Sequence, residues 1–235
     1  WWDWVDTMQA AALRPVVAAL RAEGAAPGPR EGGYRRAGAV EKGGLAQALA
    51  AVGLTRASRV GFADEQRIGL RGTARRVWGR RGVKVRQRLQ LRDEWAYLVA
   101  AVDGRAGVIW WDWLPSMKAE DLRPVVAEVR ARGLLDALVW DGAPSHADPA
   151  VHAVGLPLVA LPPYSPELNP AERLFEEVRR RVEGRTYATL ADKVDAVEAF
   201  LRELDADPAR VRQLCGWAWL TAAQDALPHL EQKAA

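Results

Sequence analysis

Apolar and polar positions along this chain alternate with two different periods. Ser58–Glu65 is an apolar run ending in two acids, and Trp95–Val102 and Ala106–Trp113 are apolar runs joined by a turn at Asp103-Gly104. Val83–Leu91 alternates apolar and basic residues, the pattern of a half-buried strand. A helix is predicted over about Glu120–Arg132, then a strand over Ala137–Trp140 that ends in Asp141. After the loop 143–149 come a short helical stretch and a strand over Pro157–Leu161. The order strand–strand–strand–helix–strand–strand–helix predicts an α/β fold with a mixed sheet, three antiparallel strands followed by parallel ones. The end of the chain reads as helical. Thr189-Leu-Ala-Asp192 has the form of a capping box, Leu190, Val194, Val197, Leu201 and Leu204 form one apolar stripe, and Asp207-Pro208 opens a last helix through Trp217 and Trp219.

One stretch stands out within this pattern. Leu161-Pro-Pro-Tyr-Ser-Pro-Glu-Leu-Asn-Pro-Ala-Glu172 is a proline-rich loop that runs into the charged helix Arg173–Arg181. Each proline fixes φ and removes a backbone donor. Pro170 suits the first helical position and Asn169 suits the N-cap, so Glu172 is expected in the first turn. A carboxylate there either complements the positive end of the helix dipole or serves as a metal ligand.

The first quarter of the chain is built differently. Trp1–Gly24 and Trp110–Gly133 match at 15 of 24 positions without a gap, which marks a duplicated strand–helix segment. Residues 25–40 are rich in Gly, Pro and Arg and read as a connection, and 44–53 holds a short helix (Leu45, Ala46, Leu49, Ala50, Val52), too short to make half of a helix-turn-helix. The expected organisation is an N-terminal extension over 1–57, a catalytic domain over 58–222 and a tail over 223–235.

Composition adds less. The single cysteine, Cys215, excludes an internal disulfide framework and fits a reducing cytosol. No run of 18 apolar residues is present, so no membrane helix is expected. Trp1–Asp6 lacks the basic and apolar regions of a signal peptide, and without an initiator Met the chain reads as a fragment. Net charge is only +3, but its distribution is uneven: Arg67–Arg92 holds ten Arg and Lys and no acid.

Three carboxylates share a context. Asp64 is expected to end the first strand, Asp141 ends the fourth, and Glu172 opens the helix after the rigid loop. In α/β sheets, carboxyl ends of strands and helix N-termini gather at the ligand-binding edge. Three hard oxygen ligands there suit Mg²⁺ or Mn²⁺. Each residue has a plainer reading: a strand-end cap for Asp64, a turn with Gly142 for Asp141, a dipole partner for Glu172. Glu65, Glu176 and Glu177 lie near enough to be confused with ligands, and Glu177 reads as a solvated charge beside Arg180 and Arg181. His146 is read either as a residue at the site's edge or as a surface histidine. Asp103 and Asp112 are expected at turn and surface positions.

Asp64-Glu65 after a β run, Trp78-Gly-Arg-Arg-Gly82, Trp140-Asp-Gly-Ala-Pro-Ser-His146 and the proline-rich motif through Glu172 together resemble the IS630/Tc1/mariner group of DDE transposases. The resemblance covers about residues 58–222, and the last motif is its most specific part. It implies a ribonuclease H-like core with metal ligands at Asp64, Asp141 and Glu172, using Mg²⁺ or Mn²⁺ to cut DNA and join 3′-hydroxyl ends. It further implies transposon-end and target DNA as partners in a prokaryotic cytoplasm, and a possible homodimer. Phe175 stands where the group often has Trp, and Gly142 where it has Asn. The paired helix-turn-helix region of the group has no clear counterpart in this chain.

The basic stretch supplies a candidate phosphate track: Arg71, Arg75, Arg76, Arg80, Arg81, Lys84, Arg86 and Arg88, with Arg179–Arg181 as an extension. Trp78 within it is expected to pack on the core, its alternative being to stack on an unpaired base. Two other functions compete with the transposase reading: a catalytically silent DNA-binding remnant, and a nuclease acting on RNA–DNA hybrids.

Overall fold

The structure is a computed structural model that describes residues 44–229, except 73–77, 79, 87, 163 and 164. The repeat copy at 1–24, the connection 25–40, Arg75, Arg76 and the last residues of the expected tail lie outside the described residues.

A five-stranded sheet in the order β3-β2-β1-β4-β5 forms the centre. Its strands are β1 (Val60–Gly69), β2 (Trp95–Asp103), β3 (Val108–Leu114), β4 (Ala137–Trp140) and β5 (Leu158–Ala160). β1, β2 and β3 pair antiparallel, while β4 runs parallel to β1 and β5 parallel to β4. The helices are α1 (Leu45–Ala51), α2 (Ala119–Ala131), α3 (Pro149–His152), α4 (Pro170–Val182), α5 (Leu190–Asp205), α6 (Pro208–Cys215) and α7 (Ala218–Asp225). Three antiparallel strands followed by parallel ones, with helices on both faces, is the expected ribonuclease H-like arrangement.

Both faces of the sheet are covered, and strand parity decides which side chain goes where. Val60, Phe62, Leu98, Ala100, Val102, Ala137 and Val139 face a larger core with α1 and α4–α7. Ala63, Val99, Ala101, Leu138 and Trp140 face a smaller one with α2. Strands buried on both faces read as unbroken apolar runs, which is why the sequence marks them without strict alternation. α4 seals the larger face with Ala171, Leu174, Phe175, Val178 and Val182, at helical spacing. Full burial of such side chains contributes about 1.5–3 kcal/mol each. Phe175 is 1% exposed, so an aromatic filler occupies the place where the resembling group often has Trp.

The β2–β3 turn is built by Asp103, whose Oδ1 accepts from the Arg105 and Ala106 amides at 3.0 and 2.9 Å. Asp103 is a turn residue as expected, but it is buried. At Gly104 an added Cβ would lie 2.3 Å from the Cys215 carbonyl oxygen, so only glycine lets the turn meet the end of α6.

The structure departs from the sequence reading in several places. The described residues of 83–91 form no strand: Val83, Val85, Leu89 and Leu91 are all exposed. The β1–β2 ladder ends at Gly69 and Trp95, is prolonged by Leu70 N to Glu94 O and Gly72 N to Gln90 O, and among the described residues offers the segment no further strand to pair with. Alternation without a partner strand and a core face does not make a strand. The helix at 45–51 lies within the globular unit, because Leu45 and Leu49 are 1% and 0% exposed in the larger core. α7 runs through Asp225, Leu227 is buried, and the Arg56 amide donates to the Pro228 carbonyl at 2.9 Å. Residues flanking 58–222 on both sides therefore join the same core.

Candidate functional site

The site forms where β1 outruns β4. β1 pairs with β4 only over Val60–Phe62, yet continues to Gly69 along β2. Asp64 is thus not the end of its strand but lies inside it, opposite Ala100 of β2. It sits just past the point where β4 stops, so its β4-side edge is open. Extending the parallel register from Phe62–Val139 by two residues brings Asp64 abreast of Asp141. Both then project toward the face covered by α4, while Glu65 and Trp140 take the opposite face.

Asn169 fixes the third carboxylate. As the N-cap of α4, its Oδ1 accepts from the Ala171 amide at 3.1 Å, as expected. Its Nδ2 donates to the Ala63 carbonyl at 3.0 Å and reaches Asp64 Oδ2 at 3.5 Å. This buried side chain therefore rivets the helix start to β1, 2% exposed, and places Glu172 against Asp64. After burial, the Glu172 charge is the strongest influence raising the Asp64 pKa.

Burial, then the charges of Glu172 and Glu65, push the Asp64 carboxyl up to about 8. Burial also raises Glu172, against the opposing pull of the Arg179 charge. Asp141 is lowered, chiefly by the hydrogen bond from His146, helped by the Ala143 amide. Its Oδ1 takes both contacts, His146 Nδ1 at 2.8 Å and Ala143 N at 2.9 Å.

The expected ligands are brought together unequally. Asp64 and Glu172 are paired, and Asp141 is near enough to raise Asp64 through its charge. Among the described residues, no three His, Cys, Asp or Glu side chains stand at metal-chelating spacing. The donor set nevertheless fits a hard divalent cation: two half-buried carboxyls that repel each other and hold a proton where positive charge is lacking.

His146 is not on the surface. It is 3% exposed and stacked on Trp140, with ring centroids 4.1 Å apart and planes 7° apart. Its Nε2 lies 3.0 and 3.1 Å from the Glu65 carboxylate oxygens. Burial alone lowers its pKa, but hydrogen bonds to Asp141 and Glu65 and their charges raise it to about 10. Glu65 therefore serves His146, a contact across 81 residues that no local pattern signals. Glu177 is not a solvated charge either: at 15% side-chain exposure it pairs with Arg173 at 2.7 Å and with Arg180 at 2.5 Å.

Of the phosphate track, Arg80, Arg81, Lys84, Arg86 and Arg88 are exposed and have no carboxylate partner among the described residues. Arg71 differs, pairing with Asp93 at 2.9 Å. Arg180 and Arg181 are engaged by Glu177 and Glu203, which weakens them as an extension of the track. Trp78 does not pack on the core: it is fully exposed.

Residues 59–193 match the DDE superfamily endonuclease family, more than half of the sequence, and the chain belongs to that family. No curated protein matches it. Its fold is similar to that of the Mos1 transposase paired-end complex with left transposon end, at 17% identity and a TM-score of 0.52 over 91% of this chain and 71% of that one. The Mos1 strand transfer complex is similar at 18% identity and a TM-score of 0.52, over 90% of this chain and 70% of that one. A Mos1 mariner paired end complex with Mn aligns at 16% identity and a TM-score of 0.51, over 91% and 71%. Among the described residues no helix is long and apolar enough to cross a membrane.

Proposed function

We propose that this endonuclease is a transposase-type enzyme that cuts DNA and joins the resulting 3′-hydroxyl ends, with divalent metal held by Asp64, Asp141 and Glu172. The observation that carries the reading is the grouping of Asp64 and Glu172 at the open edge of β1, where Asn169 rivets the start of α4 to Ala63 and the strand register sets Asp64 abreast of Asp141. Two Mg²⁺ or Mn²⁺ ions would supply Lewis-acid stabilisation of the entering and leaving oxygens of a phosphodiester. In the cut, water forms a new P–O bond and the 3′ oxygen departs as a hydroxyl. In the joining step the oxygen of that hydroxyl bonds to the phosphorus of a target-strand phosphodiester, the bond to the target's own 3′ oxygen breaks, and that oxygen departs as a hydroxyl while the attacking one gives up its proton. The chain's own residues orient: Asn169 sets where α4 begins, and Asp141 is held by one oxygen.

The DNA backbone would follow Arg80, Arg81, Lys84, Arg86 and Arg88, continuing through Arg75 and Arg76, with Arg71 near its root. Structures similar in fold include the Mos1 transposase paired-end complex with left transposon end and the Mos1 strand transfer complex, which supports this choice of substrate. The test is Mn²⁺-dependent nicking of supercoiled DNA by wild type and Asp141→Asn. Loss of nicking with retained DNA affinity is expected; undiminished nicking by the variant overturns the assignment.

A further inference from the structure

We propose that His146 is a positioning residue for Asp141, clamped between Glu65 and Asp141 and stacked on Trp140, so that one carboxylate oxygen is tied to protein and the other is presented to metal. The inference rests on the metal-centre reading above and names a device within it.

The geometry is one-sided. Both hydrogen bonds to the Asp141 side chain arrive at Oδ1, from His146 Nδ1 at 2.8 Å and the Ala143 amide at 2.9 Å. Oδ2 has no protein partner among the described residues. His146 Nδ1 also contacts the Asp141 carbonyl at 3.2 Å, which ties the ring to the loop backbone. The loop is closed by donation from the His146 and Ala147 amides to the Ala143 carbonyl at 3.0 and 3.2 Å.

The ring has little freedom of its own. Trp140, a 2% exposed residue of β4, covers one face in a near-parallel stack. Glu65 of β1, its side chain 5% exposed, holds Nε2 from the other end. Glu65 and Trp140 belong to the face opposite Asp64 and Asp141. The clamp thus reaches around the sheet edge and fixes Asp141 from behind, leaving its front to the site. A metal-binding carboxylate whose second oxygen is tied by a buried neighbour is a ligand oriented from its outer shell, and losing such a partner typically weakens metal binding about 10–100-fold.

The experiment measures Mn²⁺ affinity by calorimetry, with thermal unfolding on the same samples, for wild type, His146→Ala, His146→Gln, Glu65→Gln and Asp64→Asn. His152→Ala, at an exposed position, is the control. His146→Ala is expected to weaken Mn²⁺ about 10–100-fold. His146→Gln, which keeps an N–H for Asp141, should recover part of the loss, and Glu65→Gln should fall between it and wild type. A purely structural histidine would lower the melting temperature without this order in metal affinity. Wild-type Mn²⁺ affinity in folded His146→Ala or His146→Gln, with Asp64→Asn impaired, overturns the positioning role and leaves the metal centre standing. Unchanged affinity in Asp64→Asn overturns the metal centre and this inference with it.

Discussion

Loading the site with metal should release a proton. Burial and the Glu172 and Glu65 charges hold the metal-free Asp64 carboxyl at about 8, against an ordinary value of 3.8. A carboxylate must be ionised to bind Mn²⁺. At pH 6 only about 1% of Asp64 is ionised, and at pH 8 about half. Apparent Mn²⁺ affinity should therefore rise about 50-fold between pH 6 and pH 8, equivalent to about 2.3 kcal/mol, and level off above that. At pH 7 about 0.9 proton should leave per ion bound. Calorimetry at pH 7 in two buffers of different ionisation enthalpy counts that proton directly. Stability responds in the opposite sense without metal. The folded pKa lies above the unfolded one, so between about pH 4 and pH 8 the folded state holds a proton the unfolded chain has lost. Metal-free stability should fall as pH rises through that window, and Mn²⁺ should raise the melting temperature more at pH 8 than at pH 6. Affinity independent of pH from 6 to 8, with no proton released, would refute the argument that Asp64 carries a proton in the empty pair.

Other expectations concern the frame around the site. Asn169→Asp keeps the α4 cap but cannot donate to Ala63 and adds a charge beside Asp64, so nicking should drop at least tenfold while helix content by circular dichroism stays unchanged. Leu49→Ala opens a cavity under α1 and should cost about 2–5 kcal/mol in urea unfolding, whereas an independent N-terminal appendage would lose almost nothing. Replacing Arg80, Arg81, Lys84, Arg86 and Arg88 by Gln should reduce the slope of log K against log salt for duplex DNA by up to about 4.5, and an unchanged slope would remove these residues from the DNA path.

Features with local causes were legible along the chain. Thr189 and Asp192 exchange the capping-box bonds at 3.1 and 2.8 Å, as their spacing requires. Asn169 caps α4 and Pro170 opens it, because a cap needs only its own next few residues. Ala137–Trp140 is a strand at the expected bounds, being a short apolar run closed by an acid and a glycine. The three candidate carboxylates were legible for the same reason, each being marked by the element it begins, ends or interrupts.

What the tertiary structure decided depends on contacts between residues far apart in sequence. Strand length is one example: β1 runs past Glu65 to Gly69 because β2 pairs with it after β4 has stopped, which leaves Asp64 inside a strand but at an open edge. Asn169 looks like a cap alone, yet its amide reaches β1 across 106 residues. Glu65 reads as a neighbour easily confused with the ligands, and His146 as a site-edge or surface histidine, until the sheet edge brings them within 3.0 Å and Trp140 covers the ring. The same cause exposes Val83–Leu91 and buries Leu45 and Leu49, since periodicity records which residues share a side and not whether a partner surface meets it. The sequence by itself determined which carboxylates are available and which way α4 begins. Strand pairing and packing determined which carboxyl is buried and raised and which one is held by a histidine.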